Sequence, residues 1–170
     1  MVAFTLKIPI ALEDRRWSRV VGVARVRLMA KNIFVLLVEL LGYRIERGAT
    51  VEISIVLTSD KRISILNENT RNVAGPTNVL SFPIYEREFI RYSKYEKYMP
   101  LGDIVLSLDT LEKECLEQNK FFGDHLSLLV VHSLLHLLGF DHRDDAEAED
   151  MEKAEIVILH RLKNMFFRLD

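Results

Sequence analysis

Apolar and polar positions alternate from the start of the chain. Phe4, Leu6, Ile8 and Ile10 interleave with Thr5, Lys7 and Pro9, a period of two that predicts a strand, and Pro9 puts that strand at a sheet edge. From about Arg15 to Leu41 the period becomes helical, with a break near Gly22 and a stop at Gly42. The β-branched run Val51 to Leu57 reads as a second strand. Thr58, Ser59 and Asp60 offer N-caps for a helix to about Asn69, and Gly75-Pro76 marks a turn. Val79 to Ile84 is a short strand, and residues 103–108 (DIVLSL) carry another. Asp109-Thr110-Leu111-Glu112 has the form of a capping box and opens a helix to about Lys120. Phe122 to Leu138 is apolar on nearly every side, as a buried central helix must be, and Gly139 ends it. A last helix starts at Asp144 or Asp145, with acids in its first turns and Lys163 and Arg168 towards its end, in keeping with the helix dipole.

Strands with helices before, between and after them predict a single compact α+β domain over residues 1–170. Its expected plan is a small mixed sheet of about four strands, with helices packed around the central apolar helix. Residues 1–42 form a basic N-terminal strand and helix, and residues 85–99 an aromatic and basic connecting segment without clear periodicity.

Composition narrows this picture. A chain of 170 residues with 49% hydrophobic and 28% charged residues is ordinary globular material, which excludes disordered and collagen-like classes. The single cysteine, Cys115, permits no internal disulfide and reads as a core thiol. No apolar run approaches the ~20 residues of a membrane span, and no signal-peptide pattern opens the chain, so a cytoplasmic protein with no membrane partner is expected. The net charge is −2, which excludes an indiscriminate polycation. Residues 1–32 nevertheless carry seven basic residues against Glu13 and Asp14. That end is either a phosphate-binding surface or a solvated helix face.

The chemistry concentrates in residues 132–142, HSLLHLLGFDH, which hold three of the chain's five histidines. On a helix His132 and His136 project about 40° apart and ~6 Å along the axis, close enough to share one ion. Gly139 can take the left-handed conformation that turns the chain back and brings His142 in as a third ligand. Three imidazoles and an open fourth position describe a catalytic zinc site, one ion per chain. Burying two imidazoles on the driest helix is costly unless something satisfies both, and a metal does. His125 and His160 read instead as core histidines with one hydrogen bond each, and Met151 as a core methionine. Asp141 either orients a ligand or caps the turn. Zinc peptidases with this spacing carry a glutamate general base directly after the first histidine; here that residue is Ser133, so a different reaction is expected.

Together with PTNVLSFP at 76–83, LGDIVLS at 101–107 and the LNENTR run ending at Arg71, the histidine segment resembles the YbeY family of bacterial rRNA-maturation endoribonucleases, over about residues 51–155. Departures from the family pattern are Thr70 for an aromatic residue, Asn78 for a frequent aspartate, Ser133 for glycine and Phe140 for tyrosine. All three histidines stay in place. The resemblance implies a zinc-dependent hydrolase that cuts single-stranded RNA, with zinc on His132, His136 and His142. It implies maturation of the 3′ end of small-subunit (16S) rRNA and ribosome quality control, with rRNA and the small ribosomal subunit as partners. The family's important arginine falls on Arg71, expected in the loop before the Gly75-Pro76 turn. A guanidinium fork there suits the charge that gathers on phosphoryl oxygens in the transition state.

Residues 85–99 interleave Tyr85, Phe89, Tyr92, Tyr95 and Tyr98 with Arg87, Arg91, Lys94 and Lys97. Bases stack on aromatic faces and phosphates pair with cations, so Arg91, Tyr92, Lys94 and Tyr95 are candidate RNA contacts; the other reading is an amphipathic lid packed on the sheet. Two further functions compete with the nuclease: a zincin-like metallopeptidase, and a non-enzymatic ribosome-assembly factor whose zinc only braces the fold.

Overall fold

The computed structural model describes residues 4–92, 96–142 and 144–166, with side chains for all of these except residues 88, 91, 92 and 164–166. Strands β1 (Thr5–Lys7) and β2 (Ile10–Leu12) both pair in parallel with β3 (Thr50–Thr58), one after the other along the same edge. Pro9 separates them, and its carbonyl accepts the Ile55 N–H at 3.0 Å. The proline thus splits one predicted edge strand into two, and the sheet has five strands where about four were expected. β3 pairs in parallel with β5 (Tyr98–Ser107), and β4 (Val79–Pro83) closes the other edge antiparallel to β5, giving the predicted mixed sheet.

Each strand divides its residues between the two faces. Ile53, Ile55, Leu57, Ile104 and Leu106 enter the main core beneath helices α2 (Val23–Leu40), α6 (Phe122–Leu137) and α7 (Asp145–Phe166). Val105 and Leu80 point the other way and pack with Ile63 of α3 (Asp60–Arg71). α6 is the central apolar helix, with Leu126, Val130, Val131, Leu134 and Leu135 fully buried. Met151 and Cys115 are core residues, as expected, and burial pushes the Cys115 thiol up. His160, by contrast, is exposed on α7 and is not a core histidine. Among the described residues no helix is long and apolar enough to cross a membrane.

The long N-terminal helical region breaks where Gly22 takes φ 82°, leaving α1 (Arg16–Val20) and α2. Asp144 accepts the Glu147 N–H at 2.9 Å and opens α7, as its sequence suggested. Other boundaries differ. β5 begins five residues before the predicted DIVLSL strand, because an irregularity between Glu52 and Ile53 lets Tyr98–Pro100 rejoin β3. The connecting segment contains α4 (Arg87–Tyr92). Helix α5 (Leu108–Glu117) has Ser107 at its N-cap and no side-chain cap bond, so the predicted capping box does not form. Asp109 is committed elsewhere: it accepts the Asp60 N–H at 2.9 Å and pairs with Arg16 at 2.7 Å. Asp60 in turn accepts the Thr110 N–H at 3.1 Å. Helices α3 and α5 therefore cap each other across space, a long-range substitute for two local caps.

Candidate metal centre and cleft

The centre starts from the end of α6. Gly139 has φ 82°, and a Cβ there would overlap the backbone of Arg87 at the start of α4, so conformation and packing both require glycine. The turn buries the Phe140 ring under the Arg87 guanidinium, 3.8 Å from the ring centroid. It also swings His142 back towards the helix. Ring centroids of His142 lie 5.1 Å from His136 and 6.0 Å from His132, and those of His132 and His136 are 4.6 Å apart. One ring nitrogen from each of the three falls within 4.8 Å of the others, an arrangement that can hold a metal ion.

Hydrogen bonds behind the rings set their tautomers. His132 Nδ1–H donates to Glu155 Oε1 of α7 at 2.7 Å, and His136 Nδ1–H donates to the Phe140 carbonyl at 3.0 Å. Both Nε2 lone pairs are thereby presented to the same point, 3.1 Å apart. Two lone pairs at that separation repel unless a cation lies between them. This donor set fits a metal, with the back-side partners that metal-bound imidazoles ordinarily have. Burial, helped by the neighbouring His132, pushes His136 down to about 4, so it stays in the neutral form a ligand needs. Asp141 Oδ1 accepts the His142 N–H at 2.9 Å, which is the turn-capping role of the two considered for it.

The histidines line one side of a cleft of about 350 Å³. Arg71, Asn78 and Glu114 line the same cleft. Arg71 is not in a loop: α3 runs two residues further than predicted, and Asn72, in the left-handed region at φ 55°, closes it by donating its N–H to the Glu68 carbonyl. Arg71 is therefore the exposed last residue of a helix and still reaches the cleft. His125 is buried, as expected, and its Nε2–H donates to Glu114 Oε2 at 2.7 Å. Asn78 Nδ2 donates to both oxygens of Glu114, at 3.1 and 3.0 Å. Ser133 is fully buried and does not line the cleft, so the usual peptidase base is missing in space as well as in sequence.

Sequence reasoning missed Glu114 and Glu155. Neither stands at a spacing that ties it to the histidine motif; only the packing of α5 and α7 on α6 brings them in. In the connecting segment Tyr85 and Phe89 stack at 4.5 Å with 17° between their planes, and Phe89 is exposed. Lys94 and Tyr95 lie outside the described residues, as do the side chains of Arg91 and Tyr92.

A family model described as Endoribonuclease YbeY matches residues 17–163. Proteins called Endoribonuclease YbeY are similar along the chain. That of Azorhizobium caulinodans is 41% identical over 154 residues, 91% of this chain and 91% of its own. That of Parvibaculum lavamentivorans is 45% identical over 124 residues, 71% of this chain and 67% of its own. The solution structure of TM1509 from Thermotoga maritima shares the fold, with a TM-score of 0.60 at 22% identity over 95% of this chain and 92% of that one. With a family model spanning nearly all of the folded chain and relatives above two-fifths identity, the chain belongs to the YbeY endoribonuclease family.

Proposed function

We propose that the protein is a single-strand-specific, zinc-dependent endoribonuclease of the cytoplasm that matures the 3′ end of 16S rRNA on the small ribosomal subunit and serves in ribosome quality control. The observation that carries this reading is the convergence of the His132 and His136 Nε2 atoms, with His142 beside them, in a cleft that also receives Arg71. His132, His136 and His142 would hold the zinc. When bound, zinc supplies a Lewis acid that polarises a phosphoryl oxygen and makes water more acidic. The rest of the work falls to the chain. Glu155 and the Phe140 carbonyl hold the imidazoles in the ligating tautomer. Arg71, exposed at a helix end, presents its planar fork to two phosphoryl oxygens and stabilises charge as it develops there. Buried Ser133 supplies no base, which weighs against the metallopeptidase. Arg91, Tyr92, Lys94 and Tyr95 are proposed to bind flanking nucleotides by stacking and phosphate pairing.

The test uses purified protein and a precursor RNA spanning the 3′ end of 16S rRNA. Metal is removed by chelation and restored, with RNA ends mapped by sequencing and the fold followed by circular dichroism. Cleavage that disappears and returns with zinc while the fold persists is expected. A fold that collapses without metal would support the assembly-factor reading, and cleavage that survives complete metal removal would defeat the proposal.

A further inference from the structure

The cleft contains a carboxylate that metal binding does not use. Two acidic residues line it, Glu114 and Glu155. Glu155 is committed to His132. Glu114 is fixed instead by Asn78 and His125, at 2.7–3.1 Å, and keeps a quarter of its side chain exposed (24%). The cost of fixing it is visible at His125: its Nδ1 is buried and finds no hydrogen-bond partner among the described residues. An apolar residue at 125 would leave no such orphan. A buried orphan calls for a reason other than stability, and the one side-chain hydrogen bond His125 makes among the described residues is to Glu114.

A fixed carboxylate is out of place in a cleft meant for a polyanion, unless it meets a hydrogen-bond donor on that polyanion. Ionised carboxylates only accept, at about four lone-pair sites. Asn78 and His125 leave one on Oε1 free. Seven residues separate His125 from His132, which puts them on nearly the same face of α6 but two turns, ~10 Å, apart. Glu114, held at the His125 level, therefore lines the cleft to one side of the three clustered histidines. It lies where the nucleotide next to one engaged by the histidines and Arg71 would pass. Each base offers a different edge, but every ribonucleotide offers the same donor, the 2′-hydroxyl, and DNA lacks it.

We propose that Glu114 is a specificity-determining residue that accepts a hydrogen bond from the 2′-hydroxyl of the nucleotide flanking the cleaved phosphodiester, with Asn78 and His125 as its positioning residues. This rests on the endoribonuclease reading above.

The experiment walks a single 2′-deoxy substitution across the cleavage site of an RNA oligonucleotide. Equilibrium binding by fluorescence anisotropy and single-turnover cleavage are both read, for wild type, Glu114→Gln and Glu114→Asp, with unfolding midpoints as the control for folding. In the wild type one deoxy position beside the site should weaken binding or cleavage by on the order of 10- to 100-fold, the effect of one hydrogen bond to a charged group. In Glu114→Gln, whose amide accepts without charge, the penalty at that position alone should shrink to a few-fold, while the all-RNA oligonucleotide weakens by the difference. Glu114→Asp, which keeps the charge but shortens the reach, should lose the penalty, and it decides the matter if the Gln variant fails to fold. An identical deoxy profile in wild type and variants would overturn the inference. So would a penalty that follows removal of a base amino group rather than the sugar hydroxyl. Wild-type protein that discriminates in binding through Glu114 but never cleaves would overturn the endoribonuclease reading and with it the placement beside a cleaved bond, leaving Glu114 as a 2′-hydroxyl acceptor in RNA binding alone.

Discussion

The histidine wall of the cleft and the rest of its lining are held in different ways. His132 and His136 stand on a 16-residue helix packed largely in the core, and each imidazole is tied from behind, His132 by α7 and His136 by the turn that follows the helix. Arg71 is an exposed side chain at the end of α3, and Asn78 and Glu114 come from the residue just before edge strand β4 and from α5. The first wall is preorganised by helical spacing and by the hydrogen bonds behind its rings, so its geometry survives changes elsewhere. The second depends on how three separate elements meet. A division of labour fits the proposed function: the histidine wall suits an ion whose ligands must not move, and the other wall suits a substrate that must enter and leave.

The sharpest break of this comparison is His136→Ala. Two imidazoles do not replace a tripod, so metal content should fall from one per chain to near none. Cleavage should drop on the order of 10³-fold, more than for a lost oxyanion donor. Elemental analysis of the folded variant checks it, and full metal content would sink the ligand assignment.

Arg71→Lys probes the other wall. Charge stays but the bidentate fork is lost. Turnover at saturating RNA should fall on the order of 10²-fold with metal content unchanged. A wild-type single-turnover rate would reduce Arg71 to a surface contact.

Glu155→Gln tests how far the histidine wall depends on support from behind. Gln can still accept from His132 Nδ1–H but without charge, and metal affinity should weaken by about 10- to 100-fold in competition with a chelator. An unchanged affinity would mean that packing alone orients the ring.

The smallest expected effect is with pH, on metal-free protein. His136 is pushed from its ordinary value near 6.5 down to about 4, chiefly by burial. Between those values the unfolded chain takes up a proton that the folded chain refuses. Stability present above about pH 6.5 is therefore lost as pH falls towards about 4. Unfolding midpoints measured across that window should decline with acid in the wild type, and less so in His136→Gln.

Much of this protein is written in short stretches of chain. The 132–142 segment carries its own geometry, because helical spacing aligns two imidazoles and Gly139 supplies the positive φ that returns the third. The edge position of Pro9, the break at Gly22 and the Asp144 cap are local in the same sense: each follows from what one residue's backbone or side chain does to its near neighbours. Tertiary structure decided what depends on partners distant in sequence. Asp109 abandons a local capping box because Asp60 and Arg16 lie beside it. α3 extends to make Arg71 a helix end. Glu155 and Glu114 reach α6 only because α7 and α5 pack on it. A hydrogen bond between residues 23 or 49 positions apart leaves no periodicity to read, since its geometry comes from the packing of whole elements on a shared core.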